Sequence, residues 1–173
     1  MTVMQAIQTR HSVRRYQNKP VEDEKLLRVL EAARLAPSAS NRQEWRFIIV
    51  RNEQTRQALA LAAHNQTFVG EAPVVIVACA EGTDHIMSCG LPCFSIDVAI
   101  ALEHIALQAA EEGLGTCWIG AFDQAPVKQL LGIPAKVQVV ELMPLGYPAD
   151  EARPKQRKSL AEIAMREQWG ASW

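Results

Sequence analysis

The segment CFSIDVAIALEHIALQAAEEG, residues 93–113, decides the fold class of this 173-residue chain. It predicts one long helix from Cys93 to Glu112, with Gly113 as its C-terminal cap. Its large apolar side chains point in nearly all directions: Phe94, Ile96, Val98, Ile100, Leu102, Ile105 and Leu107. One small domain covers one or two faces of such a helix, and soluble monomers rarely expose the remainder. The segment therefore predicts a central helix and a second copy of the chain as cover.

Helical and extended patterns alternate on both sides of this segment. A capping box at Thr2 and Gln5 predicts a short first helix that ends near Arg10. Further helices are predicted over 22–36, 53–63 and 125–131, and strands over 46–51, 73–80, 114–119 and 137–145. This order predicts an α+β fold with three layers, α/β/α. Because no repeat or linker interrupts it, we expect a single domain over residues 1–173.

Composition narrows the class of protein. Eighteen basic against nineteen acidic residues give a net charge of −1, which argues against a nucleic-acid-binding protein built on a basic field. We find no secretory signal, and Glu103 and His104 interrupt the longest apolar run, so we predict a cytoplasmic protein without a membrane partner. We interpret His104 as a core or interface residue. No histidine pair has ligand spacing, and Cys89 and Cys93 alone are too few for structural zinc, so no metal is predicted.

The stretch RHSVRR, residues 10–15, gathers three arginines in a nearly neutral chain. A solvated basic helix end is the simpler interpretation. In an extended segment, however, Arg10, Ser12 and Arg14 face one side, and the two arginines lie roughly 13 Å apart. That separation suits an elongated anion with phosphate at one end and a polar ring at the other. The basic tail RPKQRKS, residues 153–159, is either a solvated loop or a second source of charge for the same anion.

Two further stretches suggest contacts to a ligand. PSASNRQEW, residues 37–45, is either a helix stop with a polar loop or a set of hydrogen-bonding side chains for a planar heterocycle, with Trp45 packed behind them. EGLGTCWIGAF, residues 112–122, follows a helix and precedes a strand, so it is not a dinucleotide fingerprint. Gly120, at a strand end, lets backbone N–H groups approach a ligand closely.

In this order the motifs resemble the nitroreductase family of FMN-dependent oxidoreductases. The matching stretches are RHSVRRY at 10–16, AARLAPSASNRQEW at 32–45, GLGTCWIGAF at 113–122, MPLGYP at 143–148 and RPKQRKSL at 153–160. The resemblance implies a mixed sheet flanked by helices, in an intertwined homodimer with two FMN sites at the interface.

The resemblance also implies roles for particular residues. The N-terminal flavin segment corresponds to Arg10, His11, Ser12 and Arg14, and the C-terminal phosphate contacts to Lys155 and Arg157. The loop of the other subunit that touches the ring corresponds to Pro37, Ser38 and Asn41, and the backbone beside flavin N5 to Gly120 and Ala121. Two departures concern the substrate pocket: Glu44 stands where the family commonly has proline, and the segment after residue 80 is short.

The reaction that the resemblance implies is a ping-pong transfer of two electrons. NAD(P)H delivers hydride to flavin N5, and a nitroaromatic, a quinone or a similar acceptor then takes the electrons. Arg14 would stabilise the charge that develops on reduction, and no side chain is predicted as a catalytic acid or base. Two alternatives stay open: a non-catalytic module that binds a flavin or another phosphate ligand, and the same fold with another flavin reaction, reductive dehalogenation or flavin breakdown.

Overall fold

The computed structural model describes residues 1–173. Helix α1 begins after Thr2, whose side chain accepts from the Gln5 N–H while the Gln5 side chain returns to the Thr2 backbone, as the capping box predicts. The order of elements is α1 (Val3–Thr9), α2 (Asp23–Arg34), a 3-10 turn (Ala39–Asn41), β1 (Trp45–Val50), α3 (Glu53–Ala62), α4 (Thr67–Glu71), β2 (Val74–Ala80), α5 (Cys93–Glu111), β3 (Gly115–Thr116), α6 (Gln124–Leu131), β4 (Gln138–Gly146) and α7 (Leu160–Ile163).

The four strands form one sheet in the order β1-β2-β4-β3. All three ladders are antiparallel, and Val74 of β2 lies opposite Leu145 of β4. The register shifts between Ala78 and Cys79, at a β-bulge in the β2–β4 ladder. The one parallel pairing is a single bridge between Ser12 and Thr116. The N-terminal segment therefore borders the sheet beside β3.

Helices cover both faces of the sheet. Successive side chains of β2 point to opposite faces of the sheet, and every residue of β2 is buried. The strand therefore contributes to an apolar cluster on each face. Ile76 packs with Leu102 and Ile105 under α2 and α5, whereas Val77 packs with Leu59 and Leu142 under α3, α4 and α6. The predicted three-layer α/β/α arrangement is thereby confirmed.

Helix α5 matches its prediction to within one residue, and Gly113 follows it with a φ of 72°. Val98, Leu102 and Ile105 are fully buried, whereas Ile96 is 39% exposed. By length and composition alone α5 could cross a bilayer. In this fold, however, it is the core helix that lies against α2 and the sheet.

Three elements differ from the prediction. The strand expected over 114–119 pairs with β4 only at Gly115 and Thr116 and then again at Ile119, because it is a short edge strand. Helix α4 was not predicted. Nor was α7, although its capping box of Ser159 and Glu162 is visible in the sequence as S-x-x-E.

Candidate functional site

A cavity of about 630 Å³ lies between the N-terminal segment and the C-terminal tail. None of its lining residues is hydrophobic, and six carry positive charge against two that carry negative charge. Such an excess of cations at one concave surface favours an anionic ligand. The lining residues are Arg10, His11, Ser12, Arg14, Arg15, Asp150, Glu151, Arg153, Pro154, Lys155, Gln156 and Arg157.

The β3 edge of the sheet positions the N-terminal side of this cavity. The Val13 N–H donates to the Thr116 carbonyl at 2.9 Å, and the Val13 side chain is fully buried. Gly115 makes room for it, because a Cβ at that position would overlap the Val13 side chain. With Val13 directed inward, Ser12 and Arg14 are exposed on the other side. The alternation predicted for this segment is therefore confirmed around Val13.

The tail side of the cavity is anchored to the end of α1. Lys155 Nζ donates to the carbonyls of Ile7 and Gln8 at 2.8 and 2.7 Å. Free carbonyls at a helix C-terminus attract cations, so this contact is favourable and brings residues 153–157 beside Arg10. Sequence reasoning connected the tail to the arginine segment, but it did not identify α1 as the anchor.

Positive charges in the cavity lie close enough to oppose one another. Partial desolvation, followed by the charges of Arg10 and Arg157, lowers the pKa of Lys155, and Glu103 opposes this effect. Arg10 also lies 3.5 Å from the Glu103 carboxylate. The exposed Arg14 guanidinium lies 6.0 Å from the centroid of the Phe68 ring. An anion bound here would relieve the repulsion.

Several buried polar atoms at this site have no hydrogen-bond partner. They include His11 Nε2 and Asp150 Oδ1, which are 4.0 Å apart. Thr116 Oγ1 is also unpaired and lines a neighbouring pocket that shares Arg10 and His11. Buried polar atoms are normally paired, so these atoms suit a ligand that also carries hydroxyl groups. FMN, with its phosphate and ribityl hydroxyls, fits such a lining. Sequence reasoning missed Asp150, which directly follows the MPLGYP motif and Ala149.

The loop over residues 37–43 lies outside this cavity of its own chain. Ser40, Asn41 and Gln43 all have φ between 51° and 55°, a left-handed conformation that costs about 1–3 kcal/mol per strained residue. The loop is nonetheless held firmly, because both carboxylate oxygens of the buried Asp97 on α5 accept from the Ala39 N–H, at 3.2 and 3.1 Å. The Ser38 hydroxyl accepts from the Gln43 N–H at 3.0 Å.

The predicted contacts in this loop therefore form a separate group. Pro37, Ser38 and Asn41 do not line the basic cavity. The buried Trp45 packs in the core behind the loop. Strained backbone is often found at functional sites, which is consistent with a ligand contact there.

Gly120 and Ala121 form a third group. They are exposed and follow Ile119, which exchanges two backbone hydrogen bonds with Leu142 at 3.0 and 3.1 Å. The Gln66 side chain donates to the Ala121 carbonyl at 3.2 Å. Of the predicted site residues, the structure thus brings six together in the cavity: Arg10, His11, Ser12, Arg14, Lys155 and Arg157. The other five lie in two exposed stretches.

Glu44 connects the 37–43 loop to the short segment after β2. Its side chain accepts from Arg42 Nε at 2.8 Å, and its carbonyl accepts from the Glu81 N–H at 2.9 Å. The carboxylate also fills the space beside Gly82. A proline would supply neither side-chain contact, so Glu44 shapes this end of the molecule in its own way.

Cysteines and histidines do not form a second site. Cys79, Cys93 and Cys117 are buried and Cys89 is exposed, and burial raises the pKa of Cys79 to about 11. His104 Nδ1 lies 3.2 Å from the Ala32 carbonyl, as expected of a satisfied core or interface histidine. The structure holds no group of three or more potential metal ligands.

The fold and the cavity together define a helix-flanked antiparallel-sheet protein with a basic cavity at one sheet edge. The nitroreductase family model matches residues 7–69 and 61–147. The chain belongs to the nitroreductase family.

Individual relatives agree with this membership. A Methanothermobacter thermautotrophicus protein with the provisional name NADH dehydrogenase/NAD(P)H nitroreductase is 35% identical over 155 residues, which are 87% of this chain and 79% of that protein. The FMN reductase [NAD(P)H] of Bacillus subtilis is 30% identical over 90% of this chain and 69% of its own length. The crystal structure of a nitroreductase family protein from Clostridium novyi NT superposes with a TM-score of 0.83 at 35% identity, covering 100% of this chain and 97% of that one.

Proposed function

We propose that this chain is an FMN-dependent enzyme that takes two electrons from NAD(P)H and passes them, in a ping-pong reaction, to a nitroaromatic, a quinone or a similar small molecule. Membership of the nitroreductase family and the names of the relatives support an NAD(P)H-dependent flavin oxidoreductase. We further propose one FMN-binding domain over residues 1–173 and a cytoplasmic location.

The basic cavity is the single observation that carries the choice of FMN. Six cationic side chains surround a space of about 630 Å³, and unpaired polar atoms of His11 and Asp150 line it. Arg10, Lys155 and Arg157 hold the phosphate in this proposal, because their charges already oppose one another. His11, Ser12 and Asp150 are placed to contact the ribityl hydroxyls.

The chain orients and stabilises, whereas the cofactor carries the redox chemistry. Bound FMN would accept hydride from NAD(P)H and return two electrons to the acceptor. Arg14 would place a positive charge near the ring, where it would stabilise the negative charge that develops on reduction. Exposed backbone at Gly120 and Ala121 allows close approach to the reacting edge.

We also propose that two chains complete each site. The 37–43 loop lies outside the cavity of its own chain, yet it is strained and held in place. A largely apolar groove of about 530 Å³ runs between α1, α2 and α5, and it is lined by Val3, Leu35 and Leu107 among others. The C-terminal tail carries Trp169 and Trp173, which are 95% and 79% exposed. Exposed apolar side chains grouped in a groove are typical of protein–protein contacts.

The first test is direct. The purified protein is expected to be yellow with about one FMN per chain, and its flavin is expected to bleach on addition of NADH or NADPH under anaerobic conditions. Absorbance spectroscopy measures both. A protein that stays colourless after incubation with FMN contradicts the cofactor, and bound flavin that neither nicotinamide bleaches indicates the non-catalytic binding module.

The second test distinguishes the proposed roles of Arg10 and Arg14. Arg14→Ala is expected to lower the flavin midpoint potential by some tens of millivolts. A charge-assisted hydrogen bond contributes about 1.5–3 kcal/mol, and 30 mV corresponds to about 1.4 kcal/mol for two electrons. Arg10→Ala is expected to weaken FMN binding with little change in potential. Lys136→Ala, which removes a positive charge outside the cavity, is the control. An unchanged potential in Arg14→Ala refutes the assignment.

A further inference from the structure

Glu141 is a carboxyl group to which neither the fold nor the proposed function assigns a role. It precedes Leu142 on β4, and Leu142 is paired with Ile119 through two backbone hydrogen bonds. Its side chain therefore lies beside the next residue of that segment, Gly120. A Cβ on Gly120 would lie 3.6 and 3.8 Å from the two Glu141 carboxyl oxygens. A glycine at this position leaves the carboxyl next to open backbone.

Nothing in the protein pairs with this carboxyl. No donor or cation lies within bonding distance, and the side chain is partly buried. Desolvation by burial alone raises its pKa to about 7. Neighbouring elements place little charge near it. Ala78 lies opposite Glu141 in the β2–β4 ladder, and the nearby titratable group is the Cys117 thiol, whose pKa is also raised by burial.

The same neighbourhood adjoins the basic cavity. The charges of Arg14 and Arg10 lower the pKa of Cys117 and that of Glu141 raises it, so the thiol lies near both the arginine segment and this carboxyl. Gly120 is exposed, so a molecule that reaches its backbone also reaches the carboxyl behind it. A group that is partly protonated at neutral pH can both donate a proton and recover it from water.

We propose that Glu141 is the proton donor to the electron acceptor. This rests on the proposed function. A quinone becomes a hydroquinone by gaining two electrons and two protons. A hydride equivalent supplies both electrons and one of the protons, so a second proton must come from elsewhere. In this step the O–H bond of Glu141 breaks, an O–H bond forms on the quinone oxygen, and the resulting carboxylate regains its proton from water. The net reaction consumes NAD(P)H, one proton and the quinone.

The test compares acceptors that differ in their need for protons. In the flavin-loaded protein, Glu141→Gln is expected to slow reduction of 1,4-benzoquinone by about 100-fold, the lower end of general acid catalysis. Reduction of ferricyanide needs no proton and is expected to keep its rate. The wild-type quinone rate is expected to fall above about pH 7, and the variant is expected to lose this dependence. Glu141→Asp should recover part of the rate, and Glu53→Gln, on exposed α3, is the matched control.

A second readout needs neither flavin nor turnover. The ¹³C signal of the Glu141 carboxyl, assigned by its absence from Glu141→Gln, is expected to titrate near pH 7 in the flavin-free protein. A midpoint near 4.5 overturns the proposal, and so does a variant with an unchanged quinone rate and pH profile. Wild-type protein that passes no electrons from NAD(P)H to ferricyanide contradicts the proposed function instead, so the two failures are distinguishable.

Discussion

Replacing Leu107 with aspartate is expected to convert the protein from a dimer to a monomer and to release its flavin. Leu107 is half-buried in the single chain and lines the groove between α1, α2 and α5 rather than the apolar cluster under α5. The isolated chain can therefore keep the new carboxylate in contact with water. In a dimer that covers the groove, the carboxylate would be buried without a partner, at a cost of several kcal/mol.

At about 1.4 kcal/mol per tenfold, this cost weakens association by at least about a hundredfold. Light scattering at low micromolar concentration measures the mass, and absorbance measures retained flavin. Ile100→Asp is a less clean probe, because Ile100 packs against the apolar cluster and its replacement also destabilises the chain itself.

Leu61→Asp is the matched control for this experiment. Leu61 is exposed on α3, which packs on the opposite face of the sheet, and this variant should remain a flavin-bound dimer. Two results contradict the proposal. A dimeric Leu107→Asp protein shows that the groove is not the interface. A monomeric protein that keeps its flavin shows that one chain completes the site.

Replacing Glu141 with glutamine is expected to stabilise the flavin-free protein at alkaline pH. Burial raises the pKa of Glu141 from its ordinary value of 4.5 to about 7, so the folded state binds this proton more tightly than the unfolded state does. The contribution of protonated Glu141 to the free energy of unfolding is therefore fully present below pH 4.5. It is lost as the pH rises to about 7. At 1.36 kcal/mol per pKa unit, and after allowance for partial exposure, the loss is about 2–3 kcal/mol.

Denaturant titrations of both proteins between pH 4.5 and 8 measure this difference. The free energy of unfolding of Glu141→Gln minus that of wild type is expected to increase by about 2–3 kcal/mol between pH 4.5 and pH 8. Other titrating groups cancel in the comparison, and Glu53→Gln should show no such trend. A difference that is constant with pH contradicts the burial of an ionisable Glu141. This outcome does not depend on whether the protein binds FMN.

Local sequence determined most of the secondary structure. Helix α5 and strand β2 are long apolar segments with clear ends, so neighbouring residues suffice to predict them. Strand β3 was predicted too long because its pairing depends on β4, which lies more than twenty residues away. The loop at residues 39–43 adopts left-handed conformations that could not be predicted from its own sequence. Asp97 of α5, which is distant in the chain, holds the loop in place.

The sequence by itself also determined the arginine segment, the basic tail and the family they resemble, because those signals are runs of adjacent residues. Only the tertiary structure decided what these residues face. It placed Lys155 on the end of α1, and it brought Asp150 into the cavity. It also placed Glu141 behind Gly120, which lies twenty-one positions earlier in the chain. The physical reason is that burial, charge repulsion and a pKa near 7 arise from contacts between distant segments, and sheet register sets those contacts.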